Sequence, residues 1–234
     1  MTVWHTSDLH IGHRRVAEDR WYRSHSGYYT MTPALPEDYV GWHDEMLAQN
    51  WDKTVQPGDK VYVQGDLTLQ GKNAIEKGLA WIAERRAATR PENIIFIPGN
   101  HDGCHTGIER STSFKWFKRY MEYFDMVTPY ARIRINGEVV HLSHFPYQGG
   151  GDHTATERYT QYRLPYLGDW LLHGHTHSTE RYWAGDLITY PGAKHQIHIG
   201  VDSNDYTPVS HEEIAIIMEA HREPPGQAVL SGEP

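Results

Sequence analysis

The sequence predicts an α/β protein built on a largely parallel sheet, and three observations carry that expectation. Short apolar runs rich in β-branched residues recur at 2–7, 60–64 and 93–97. Segments with apolar residues at helical spacing stand between them, and alternation of strand and helix favours parallel pairing, which needs a long crossover. Each run is followed at once by carboxylate, amide or imidazole side chains, at the strand ends where ligands gather on such sheets.

The first run, T-V-W-H-T-S, leads into Asp8-Leu9-His10-Ile11-Gly12-His13. On an extended backbone positions i and i+2 face the same way, so Asp8 and His10 are expected to converge. A carboxylate oxygen beside a neutral imidazole suits Mn, Fe or Zn. Residues 20–36, rich in aromatics and arginine, read as an irregular excursion ending in two prolines. Pro36, Glu37 and Asp38 then open a helix to about residue 51, with proline in the first turn and acids at its positive end. After the turn Pro57-Gly58-Asp59, the second strand exits through Gly65 into Asp66.

Residues 72–90 carry Ile75, Leu79 and Ile82 at helical spacing and close before Pro91. The third strand exits through Pro98 and Gly99 into Asn100, His101 and Asp102. Another helix is expected over 114–124, its stripe of Phe114, Phe117, Met121 and Phe124 facing the core. Asn136-Gly137 between 131–135 and 138–143 is a strong hairpin signal, and the second hairpin strand ends at His144. A second irregular stretch spans 147–168. A strand at 169–172 then delivers His173-Gly174-His175-Thr176-His177, further strands are expected at 187–190 and 198–201, and a last helix at 212–220. One domain over 1–222 and a loose tail over 223–234 complete the expectation.

Composition narrows the function. A chain of 234 residues with 38% hydrophobic content and a mean hydropathy of -0.67 fits a soluble protein without a bilayer-spanning run. No basic region followed by an apolar stretch opens the chain, and the single cysteine, Cys104, excludes an intrachain disulfide; a cytoplasmic setting is expected. A formal charge of -8 argues against gripping long nucleic acids by a broad basic surface. Small phosphate esters stay open, because a bound metal reverses the field locally.

Asp8, His10, Asp66, Asn100, His144, His175 and His177 all fall at or just past predicted strand ends. In this order the motifs D-x-H, G-D, G-N-H-D, S-H and G-H-T-H resemble those of the calcineurin-like metallophosphoesterases, over roughly residues 1–205. The small single-domain bacterial and phage members are the most similar. The resemblance implies a four-layer α-β-β-α sandwich of two mixed β-sheets flanked by helices, holding two divalent metal ions. It implies Asp8, His10, Asp66 and His177 on the first ion. Asp66 would bridge to the second, completed by Asn100, His144 and His175. His101 would be a catalytic non-ligand, stabilising the transition state or protonating the leaving oxygen, with Asp102 to orient it. The nucleophile would be a metal-bound hydroxide. Mn²⁺ is the favoured ion, and oxygen and nitrogen ligands suit Mn, Fe, Zn or Ni, with availability often deciding.

His13, Arg14, Tyr147, His153 and Arg158 are expected to line a substrate pocket. The expected reaction is hydrolysis of small phosphodiesters, 2′,3′-cyclic nucleotides foremost, with the aromatic excursions as stacking surfaces for a base. A phosphomonoesterase or a nuclease could use the same centre. A non-catalytic interaction module is the rival from another class, and the retained ligand set speaks against it. The expected partner is a small phosphoester, with no membrane and no long nucleic acid.

Overall fold

The computed structural model describes residues 1–25, 34–108, 111–149, 157–182 and 194–222. In chain order the strands are β1 (Val3–Thr6), β2 (Lys60–Val63), β3 (Asn93–Phe96), β4 (Met126–Val127), β5 (Ala131–Ile135), β6 (Glu138–Leu142), β7 (Trp170–His173), β8 (Gln196–His198) and β9 (Val209–Ser210). The helices are α1 (Arg14–His25), α2 (Tyr39–Thr54), α3 (Lys72–Thr89), α4 (Ser113–Tyr120) and α5 (His211–Ala220).

Two mixed sheets form, flanked by helices as expected. The first runs β4-β3-β2-β1-β9, parallel except for β9, and the second runs β5-β6-β7-β8, with only the β5–β6 pair antiparallel. Val61, Val63, Ile94 and Phe96 of the first sheet pack with Leu47 and Trp51 of α2, Leu79 and Ile82 of α3 and Tyr120 of α4. A second core fills the space between the sheets, joining Ile97 and Val209 to Val140, Leu142, Leu172 and Ile197, with Ile214 and Met218 of α5 beside them. Burying branched side chains on both faces explains why the parallel strands read as continuous apolar runs.

Local chemistry sets the boundaries. The Asp38 carboxylate caps α2 by accepting from Gly41 N. α3 stops at Arg90, in the left-handed region immediately before Pro91. Asn136 (φ 50°) and Gly137 (φ 83°) turn the β5–β6 hairpin. α5 begins with a reciprocal capping box between Ser210 and Glu213.

The structure differs from the sequence expectation in identifiable places. Residues 20–25, expected to begin an irregular excursion, instead complete α1 (Arg14–His25): its buried positions are Ala17 and Arg20, so the inner face carries a charge and shows no apolar periodicity. Strands β4 and β9 have two residues each, too few for an alternation pattern. α4 ends at Tyr120, short of the expected 124: Phe114 and Met121 are exposed, Phe117 packs partly against the core, and the buried Phe124 lies beyond the helix. The strand expected at 187–190, His153 and the tail lie outside the described residues. No helix among the described residues is long and apolar enough to cross a membrane.

One buried side chain stitches the sheets together beside the strand exits. Gln64 Nε2 donates to Leu172 O (2.9 Å), while Gln64 O accepts from Ser7 Oγ (2.6 Å) and His144 Nδ1 (2.8 Å). A parallel bridge between Ser7 and Gly200 joins the exit of β1 to the segment after β8. The ends of β1, β2, β3, β6 and β7 thereby meet in one place.

Candidate metal centre

Two groups of ligand atoms form there. Asp8, His10 and His177 make one, Asp66, His144 and His175 the other, and within each the ligand atoms lie within 4.8 Å of one another. Asp66 Oδ2 sits between them, 3.7 Å from His10 Nε2 and 3.5 Å from His144 Nε2. Asn100 Oδ1 joins the second group, 3.2 Å from His144 Nε2. All seven residues singled out from the sequence are brought together.

Asp8 and His10 do not converge by extended alternation. Asp8, His10, Asp66, His175 and His177 all have φ between 48° and 72°, in the left-handed region that side chains rarely adopt. Each costs about 1–3 kcal/mol of backbone strain, which the surrounding hydrogen bonds must hold. They are present: Asp8 N donates to Gly65 O, His10 N to Asp66 O, and His175 N to the Asp8 carboxylate. Close approach explains two motif glycines. A Cβ on Gly174 would strike Ser7 Oγ and Asp8 Oδ2, and one on Gly99 would strike Asp66 and His144.

The electrostatics fit a divalent cation. Burial pushes the Asp8 carboxyl up, as expected of a buried anion lacking a full counter-charge. At Asp66 burial acts in the same direction, but His144 and His10 outweigh it and hold the carboxyl well below its usual range. Burial opposes charge on His144 too, yet Asp66 and Asp8 raise it to about 9. Burial and then neighbouring imidazoles keep His10 well below its ordinary value and bring His175 down to about 2, so both stay neutral with lone pairs available. His10 Nε2 and His177 Nε2 face each other at 3.0 Å, and His175 Nε2 is buried without a hydrogen-bond partner. Carboxylates beside imidazoles, of which His10 and His175 are held neutral, with an orphaned ring nitrogen, are a donor set suited to Mn, Fe, Zn or Ni.

His101 stands at the edge of this group. Its backbone N donates to Asp66 Oδ1 (2.9 Å), and its Nε2 lies 4.0 Å from Asp66 Oδ2. With His10, His13, Arg15, Val16, Asp19 and His177 it lines a cavity of about 400 Å³. Asp102, expected to orient His101, is turned elsewhere. Oδ2 accepts from Asp66 N and Gly99 N, both at 2.7 Å, and Oδ1 from Leu67 N (3.1 Å) and Tyr120 Oη (3.4 Å). Its carboxylate clamps the loop after β2 to the loop after β3, because those backbone N–H groups would otherwise be buried unpaired.

Of the other expected pocket residues, His13 lines the cavity. Arg14 instead lies over the Tyr39 ring, 5.6 Å from its centroid, and Arg15 takes the cavity position. Tyr147 is buried against Tyr166. Arg158 is exposed, donating to Tyr159 Oη (2.8 Å). Tyr159 in turn packs on His175 at 5.5 Å, continuing through Phe145 and Tyr162 into an aromatic group beside the second triad. No motif marks Arg20 or Asp202, whose buried side-chain charges lie directly behind the first triad.

Comparison with known proteins agrees with this geometry. The model of the calcineurin-like phosphoesterase family matches residues 1–179. The chain is 38% identical over 214 residues to the Gene 66 protein of Mycobacterium phage D29, covering 88% of this chain and 92% of the relative. It is 36% identical over 208 residues to the Gene 66 protein of Mycobacterium phage L5, covering 86% of each. Among solved structures, a protein of unknown function from Aquifex aeolicus superposes with a TM-score of 0.59 at 22% identity, covering 92% of this chain and 98% of that one, a likeness of fold.

Proposed function

The chain belongs to the calcineurin-like phosphoesterase family, and we propose that it hydrolyses small phosphodiesters, 2′,3′-cyclic nucleotides foremost, in the cytoplasm. Asp8, His10, Asp66 and His177 would hold one divalent ion, and Asp66, Asn100, His144 and His175 a second, with Mn²⁺ favoured. When bound, such a pair supplies Lewis acidity to the phosphoryl oxygens and lowers the pKa of water. The observation that carries the proposal is the shared position of Asp66 Oδ2 between two buried triads, beside a non-ligand histidine that opens onto a cavity.

The protein's own side chains do the rest. His101, partly exposed and free of either triad, holds a proton at the cavity edge for the leaving oxygen. His13 Nδ1 accepts from Val16 N (3.1 Å), so its neutral ring carries the proton on Nε2 and offers a donor to a phosphoryl oxygen. Asp102 acts as the clamp that fixes the two ligand loops.

Diesters are favoured over monoesters because the cavity is poor in fixed positive charge. Arg15, its lining cation, is already paired with Glu18 (3.8 Å) and Asp19 (3.5 Å), which suits a monoanion better than a dianion. Tyr159 and Tyr162, partly exposed and backed by Phe145, support a planar substituent such as a base. A formal charge of -8 supports a small substrate over long nucleic acid.

The test is an activity screen of manganese-reconstituted protein against monoesters, linear diesters, cyclic nucleotides, and single- and double-stranded DNA and RNA. Hydrolysis of diesters and cyclic nucleotides is expected. Efficient turnover of monoesters alone, or of polymers alone, would replace the substrate assignment with a monoesterase or a nuclease. Failure to bind manganese and to hydrolyse any ester would leave an interaction module on this fold.

A further inference from the structure

Behind the first triad lies a set of buried charges that ligand positions alone do not require. Asp202 sits in the 3₁₀ turn Val201–Ser203, beyond the segment matched by the family model, and its side chain is fully buried. Its Oδ2 lies 3.3 Å from His177 Nδ1. Arg20 of α1, equally buried, grips the same carboxylate with two arms, Nε to Oδ1 at 3.0 Å and Nη2 to Oδ2 at 2.6 Å. Arg23 adds a third contact to Oδ1 at 3.0 Å. The Arg20 guanidinium also donates to Asp8 O (2.7 Å) and Leu9 O (3.2 Å). It reaches His43 Nε2 (2.8 Å), whose Nδ1 faces Asp44 Oδ1 (3.0 Å).

We infer that Asp202 is a positioning residue for the first metal site, holding His177 so that Nε2 faces Asp8 and His10, with Arg20 fixing both Asp202 and the Asp8 backbone. A carboxylate at Nδ1 keeps the ring proton there, leaving the Nε2 lone pair for a ligand bond. One guanidinium therefore sets two of the three groups of the first triad: the left-handed Asp8 turn through its carbonyl, and His177 through Asp202. The second triad has a different support, since His144 Nδ1 donates to a backbone carbonyl, Gln64 O. Loss of Asp202 is therefore expected to act on one site and spare the other. A staple that served the fold alone would show no such selectivity.

His177 holds the first ion only under the function proposed above, so the role of Asp202 rests on that assignment. The experiment compares wild type, Asp202→Asn, and the double variant Asp202→Asn/Arg20→Met, which removes both buried charges if the single variant does not fold. Manganese titration of each metal-free protein is followed by calorimetry. Nitrogen–proton correlation spectra at alkaline pH, without metal, report the His177 tautomer. Wild type is expected to bind two ions and to carry the His177 proton on Nδ1. The variants are expected to bind one ion about 10- to 100-fold more weakly with the other unchanged, and to show a mixed tautomer. Equal weakening of both sites, no weakening, or a wild-type His177 protonated on Nε2 overturns the role of Asp202. A wild type that binds no manganese overturns the metal centre as well.

Discussion

Gly99→Ala is expected to damage both metal sites at once through a single methyl group. The added Cβ would overlap Asp66 Oδ1 and stand 2.8 Å from both Asp66 N and His144 Cε1. Neither neighbour can retreat freely. Asp66 Oδ1 accepts from His101 N, Asp66 N is held by Asp102 Oδ2, and His144 Nδ1 is held by Gln64 O. Overpacking of this kind costs about 1–3 kcal/mol. At roughly 2–4 °C per kcal/mol for a chain of this size, the metal-free protein should melt about 2–12 °C lower. Asp66 Oδ2 faces ligands of both triads, so a displaced Asp66 should weaken both manganese sites, unlike the one-site loss expected for Asp202→Asn. Differential scanning calorimetry of metal-free protein and manganese titration measure the two effects. A variant that melts with wild type and binds two ions at wild-type affinity would refute the rigidity assigned to these loops.

Three further outcomes follow from the same contacts. His101→Ala should keep both metals by elemental analysis while kcat falls about 10²- to 10⁴-fold, as for loss of a general acid; loss of metal would make His101 a ligand. Saturating manganese should stabilise the protein, by about 2.7 kcal/mol per site at 100 times Kd, and a chelator should reverse the rise in Tm and abolish turnover; an unchanged Tm would argue against both sites. The Asp59 carboxylate accepts from Thr2 N, Trp4 Nε1 and Gln56 N, and these bonds outweigh burial to hold its pKa below the usual value. A depressed folded pKa contributes stability above the unfolded value of about 4 and loses it as pH falls through the folded one. The stability gap between wild type and Asp59→Ala in urea should therefore narrow on acidification, and a gap constant with pH would remove Asp59 from the acid response.

The longer strands and the chemistry at their ends were legible in the chain alone. β1, β2 and β3 are short, branched and bounded by turn residues, signals that depend only on neighbours in the chain. The Asn136-Gly137 hairpin is equally local. Asp8, Asp66, Asn100, His144, His175 and His177 were legible because parallel pairing carries strand ends to a common edge. What those residues lean on depends on contacts between distant parts of the chain. Arg20 and Asp202 are separated by 182 positions and carry no motif, so their pairing exists only once α1 and the turn after β8 are packed. α1 itself was hidden because a buried guanidinium occupies the place an apolar stripe would mark. The family resemblance makes Asp102 a support for His101, but the folded loops present N–H groups that claim its carboxylate. The left-handed ligand residues belong to the same class: Asp and His tolerate φ > 0 better than most side chains, but the bonds made across the fold are what hold Asp8 and His177 there.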